Sequence, residues 1–101
     1  MAVTSKALYR GAATTNTATT LYTVPAATTA VITNIVIANT GGSSYTWTMA
    51  FDGVSIGTTV SIAANSTTVI DMKQVLATTK TITGGASNTA VTFHVSGISV
   101  S

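Results

Sequence analysis

The chain of 101 residues carries four basic and two acidic side chains, one histidine, no cysteine and no glutamate; 46% of it is hydrophobic and only 6% is charged. That length suits a single domain with a modest core, and the lack of cysteine excludes disulfides, thiolate metal sites and cysteine nucleophiles. Ordinary globular proteins are roughly 25% charged, so a chain with a formal net charge of only +2 presents a neutral, hydroxyl-rich surface that fits self-association or burial in a larger particle.

Residues Met1 to Lys6 lack a core pattern and are expected to form an N-terminal arm, reaching a neighbouring subunit or frayed as a terminus, ahead of a single domain over residues 7–101. Lys6 and Arg10 are not followed by a continuous apolar run, which argues against a secretory signal, and no stretch approaches the roughly 20 apolar residues of a membrane span. Synthesis in the cytosol is expected.

Thr, Val and Ile dominate the sequence, and β-branched side chains favour pleated strands over helices. Short strands are predicted at Ala7 to Arg10 and Leu21 to Val24. A central strand with both faces covered follows over Thr29 to Asn39, where Val31, Ile32, Ile35, Val36 and Ile37 leave few polar gaps; Asn39-Thr40-Gly41-Gly42 ends it.

Tyr45, Trp47, Met49 and Phe51 then alternate with Thr46, Thr48 and Ala50, the period of two of a half-buried strand. Asp52-Gly53 supplies the positive φ angles of a tight hairpin, so Val54 to Ile62 should return antiparallel. Thr67 to Met72 and Lys80 to Thr83 are further strands, with at most one helical turn at Lys73 to Ala77. In the last strand Val91, Phe93 and Val95 share one parity and Ile98 and Val100 the other, so a β-bulge is expected near Ser96-Gly97.

An internal echo aligns Val24 to Ile32 with Ile62 to Ile70, both reading as strand, corner, strand. About eight short strands with two similar corners predict an all-β, single-domain antiparallel β-sandwich of jelly-roll type.

Chemistry has little to work with. Apart from Tyr, the ionisable side chains are Lys6, Arg10, Asp52, Asp71, Lys73, Lys80 and His94. His94, between Phe93 and Val95, should face away from the core, toward solvent or a neighbouring subunit. A Ser-His-Asp grouping is available in composition, yet no nucleophile-elbow pattern accompanies it. Asp52 is explained as a turn residue, and it has no second carboxylate nearby for glycosidase-type pairing. One His and two separated Asp make a poor metal site. Gly41-Gly42 and Gly84-Gly85 lack the Lys and Ser/Thr of a phosphate loop and read as turns. The scattered basic residues form no nucleic-acid groove. Asn65-Ser66-Thr67 matches a glycosylation acceptor but reads as a corner. No cofactor and no enzymatic activity are expected.

Two surface features remain. The stripe Tyr45, Trp47, Met49, Phe51 is either the core face of the sandwich or a platform for sugars and partners. Tyr9 and Tyr22, each following a leucine, should point opposite Leu8 and Leu21. Together with Met1, Ala2, Val3 and His94 they are the candidate interface residues.

The block Thr17-Ala18-Thr19-Thr20-Leu21-Tyr22-Thr23-Val24-Pro25-Ala26-Ala27-Thr28, followed by Val31 to Asn39, resembles a group of small virion structural proteins of tailed bacteriophages. Leu8 to Gly11, Ile35 to Thr40, Asp52-Gly53 and the closing strand Val91 to Gly97 extend the resemblance over most of the chain, through turn and strand signatures that include no catalytic residue. The resemblance implies a compact β-sandwich, often in symmetric groups such as trimers, on the head or tail of the particle. The major capsid protein or tail proteins would be its partners, and the virion its location. A capsid decoration or cement protein is the leading expectation; a tail-tip or fibre module binding a host-surface glycan is the alternative.

Overall fold

The computed structural model describes residues 3–101, so Met1 and Ala2 lie outside the described residues. Eight strands follow one another: β1 (Val3–Ala12), β2 (Thr20–Thr23), β3 (Thr29–Asn39), β4 (Tyr45–Phe51), β5 (Val54–Ile62), β6 (Ser66–Leu76), β7 (Thr81–Ala86) and β8 (Val91–Val100). They form two four-stranded antiparallel sheets, A in the order β1-β8-β3-β6 and B in the order β2-β7-β4-β5. Successive strands change sheet at every connection except the β4–β5 hairpin, which is the interleaved winding of a jelly roll. The all-β sandwich expected from the sequence is the fold.

Alternation explains the core. Ile32, Ile35, Ile37, Phe93 and Val95 of sheet A and Met49 and Ile82 of sheet B are fully enclosed, with Trp47 and Phe51 beside them. Each such side chain stabilises the fold by about 1.5–3 kcal/mol relative to exposure. The β4–β5 turn is as the sequence predicts: Asp52 and Gly53 have φ of 53° and 74°.

Several elements differ from expectation. Val3 to Lys6 belong to β1, paired with Val100 to Gly97 of β8, and are not an arm ahead of the first strand. Their side chains are exposed because β1 is an edge strand, so they carry no apolar pattern for a sequence reading to detect. Lys73 to Leu76 are strand, with no helical turn: Gln74, Val75 and Leu76 pair with Ile32, Val31 and Ala30, and pairing overrides local preference. Gly84-Gly85 lies inside β7, buried, because the β1–β2 loop crosses there; a Cβ on Gly85 would come 2.5 Å from the Asn16 carbonyl oxygen.

The bulge expected in β8 sits in its neighbours. Between Ser96 and Val95, β1 carries an additional residue, Leu8; between Gly97 and Ser96, β3 carries Thr33, whose hydroxyl donates to the Ser96 carbonyl at 3.2 Å. β8 keeps its alternation, so Ile98 and Val100 stay on the outer face. The outer face of β3 is only half-buried, at Val31, Val36 and Ala38, so just one face of this strand is covered by the chain itself.

The sequence echo is a structural one. Both segments turn from sheet B to sheet A, and the aligned residues Ala27 and Asn65 take left-handed φ values of 56° and 53°. Asn accepts that conformation readily, whereas Ala is strained there. A second tie comes from Asn39, 2% exposed: its amide nitrogen donates to the carbonyls of Ser43, Ile62 and Ala63, and its Oδ1 accepts from the Gly41 amide. This single side chain fastens the β3–β4 loop to the β5–β6 corner.

Asn39→Ala should lower unfolding free energy by about 3 kcal/mol in urea denaturation, since buried carbonyls lose their donor. Ala27→Asn should raise it by about 0.5–1 kcal/mol by relieving the left-handed strain.

Candidate interaction surface

Every ionisable residue other than Tyr lies in sheet A, except Asp52 and Lys80, which flank one end of sheet B and approach each other at 3.7 Å. Both side chains of that pair are about half exposed, so the contact contributes little. The outer face of sheet B is a field of hydroxyls: Thr20 and Thr23 from β2, Thr46 and Thr48 from β4, and Thr81 and Thr83 from β7.

The outer face of sheet A is different. At one end, Ile98 of β8, Val31 of β3 and Val75 of β6 form a cross-strand row, with Val3 and Val100 paired in the row beyond. Ile98, Val31 and Val100 are half-buried, while Val3 and Val75 are 65% and 67% exposed. Toward the other end the row reads Arg10, His94, Val36, Val69, and Val69 is 58% exposed. Between these two rows runs a wholly polar one: Ser96, Asn34 and Asp71. An open groove of about 500 Å³ follows the bulge at this level, lined by Lys6, Arg10, Thr33 and Ser96 among others.

The candidate interface residues are dispersed. Val3 is on the apolar end of this face, and His94 sits on the same face away from the core, as its position between Phe93 and Val95 predicts. Met1 and Ala2 lie outside the described residues. Tyr9 and Tyr22 do not point opposite their leucines. A register shift at Leu8 sets Tyr9 opposite the core residue Val95, and one at Leu21 sets Tyr22 opposite the core residue Ile82, so each Leu-Tyr pair turns inward together. Both tyrosines are half-buried against the core, with the Tyr9 hydroxyl donating to the Ala12 carbonyl at 3.0 Å. The Leu-Tyr dipeptide recurs at both bulges, one in each of the edge strands β1 and β2.

Grouped catalytic geometry is missing among the described residues. His94 on β8 and Asp71 on β6 are separated by β3, about 10 Å across two strand spacings. Asp52 lies at the end of the other sheet. No group of three His, Asp or Glu side chains is gathered among the described residues.

The aromatic stripe is core. Trp47, Met49 and Phe51 are 3%, 0% and 5% exposed, and Tyr45 is half-buried at the rim. Gly57 of β5 lies flat on the indole, where a Cβ would come within 2.7 Å of the ring. A glycan-binding role therefore has no exposed aromatic platform on β4.

No protein-family model matches this chain, and no curated protein matches it.

Trp47 fluorescence of the isolated protein should be blue-shifted and resist quenching by iodide and acrylamide. Emission quenched as readily as that of free tryptophan would contradict the inward placement of the stripe.

Proposed function

We propose that this protein is a non-enzymatic structural component of a tailed-phage virion, a decoration protein that binds the outer shell of the capsid and stabilises it through subunit contacts. The observation that carries this reading is the outer face of sheet A. The sandwich has a complete core of its own, yet this second face displays Val31, Val75, Ile98 and Val100 at one end and Val36 and Val69 toward the other, with the polar row Ser96, Asn34 and Asp71 between them and Arg10, His94 and Lys73 alongside. Apolar side chains grouped on an outer face, beyond those that build the core, mark a surface that a partner covers.

The composition supports the same conclusion. A chain with this little charge is poorly dispersed as a free monomer, and a place in an assembly suits it. The resemblance to small virion proteins adds the particle, the homo-oligomer, with a trimer favoured, and the choice between head and tail as the place of attachment.

The mechanism needs no reacting group. Apolar side chains on sheet A leave water on docking, the hydroxyls of sheet B remain hydrated, and the gain from burial is distributed over the subunits that each copy bridges.

Particles assembled from the encoding genome should carry density or immunogold label for this chain on the capsid exterior. Label on the tail alone would reassign its place, and label on no particle would overturn the reading. Val36→Glu should leave the circular dichroism spectrum unchanged while lowering incorporation about tenfold or more, because a carboxylate is then buried in the contact.

A further inference from the structure

We propose that two copies of this chain pair through their β6 strands, antiparallel about a twofold axis at Met72, joining the two A sheets into one of eight strands.

Four strands lie at sheet edges, and three are unsuited to pairing. β1 carries the Leu8 bulge together with Lys6 and Arg10, and β2 is only 4 residues long. β5 is interrupted by two register shifts and holds Thr59 at a φ of 50°. Such devices protect edges. β6 carries one register shift against β3, where Met72 and Lys73 together lie opposite Thr33, but it runs 11 residues without Pro or Gly and its odd-numbered positions stay on the outer face on both sides of that shift. Ile70, Met72 and Leu76 face the core, whereas Thr67, Val69, Asp71, Lys73 and Val75 face outward and are exposed. Among the described residues its only strand partner is β3.

The sequence of that edge matches its own reverse. With the axis at Met72, Asp71 lies opposite Lys73 of the second copy and Lys73 opposite its Asp71. Val69 lies opposite Val75, so the two most exposed valines of the strand cover each other. Directly opposed residues in an antiparallel pair share a face, so an axis between two residues would set outward side chains against inward ones. Centring on Asp71 or on Lys73 would oppose like charges, and centring on Ile70 would leave both charges opposite uncharged side chains. Met72 is thus the centre at which pleat and charge agree. Neither Asp71 nor Lys73 has an ion-pair partner among the described residues of the single chain, so no existing contact is given up. The contact is isologous and closes on itself, which lets it limit growth where an open edge would extend indefinitely.

This pairing is independent of the particle-binding reading, because it is measured on the free protein, and as a twofold contact it is distinct from the threefold contacts of the trimer favoured above. Sedimentation velocity over a wide concentration range should show reversible dimers. Asp71→Lys should weaken dimerisation about tenfold or more by converting two attractive cross-strand pairs into repulsive ones. The double variant Asp71→Lys, Lys73→Asp should restore it, with circular dichroism confirming the fold in each case. A wild-type chain that stays monomeric at every concentration would overturn the proposal, as would an oligomer indifferent to Asp71→Lys or a folded charge-swapped variant that fails to recover.

Discussion

One level of sheet A sets which side chains that sheet turns toward the core. There β1 and β3 each carry one residue more than β8, at Leu8 and Thr33, while β8 passes between them without a break. The added residue reverses the parity of β3, which is why Ala30 and Ile32 before it and Ile35 and Ile37 after it all reach the same core. Gly97 makes the arrangement possible, since a Cβ there would collide with the Val31 carbonyl. Removing the kink would turn half of β3 inside out, because a shift of one residue exchanges the faces of every side chain beyond it.

Much of the architecture was legible because burial on one face leaves a period of two in the sequence. Tyr45 to Phe51 shows it, and Asp52-Gly53 could be read as a turn from backbone preference alone. The echo between Val24 to Ile32 and Ile62 to Ile70 was legible for the same reason, since both segments pass the chain between sheets. The unread parts are those that bury little or whose pattern is broken. Val3 to Lys6 pair through their backbone at an edge, and their side chains record nothing of it. Gly84-Gly85 looks like a turn until the loop that needs the space is in place.

The surface was less legible than the core. Simple alternation points Tyr9 and Tyr22 outward, and the bulges at Leu8 and Leu21 reverse them. Asn39 read as the end of a strand, yet it shares the inward parity of Ile35 and Ile37, and a polar residue at such a position signals a buried tie. The apolar character of the outer side of sheet A is assembled from single valines and isoleucines on four separate strands, and only the topology gathers them.

The four strands of sheet B contain no Asp, Glu, Lys, Arg or His. Their threonine hydroxyls do not titrate in water at any physiological acidity. The threonine face of sheet B accordingly keeps the same chemistry from acid to neutral solution, and counterions have no charge on its strands to screen. The response of the strands to acidity and salt is thereby concentrated in sheet A, with Asp52 and Lys80 adding a charged pair at one end of sheet B.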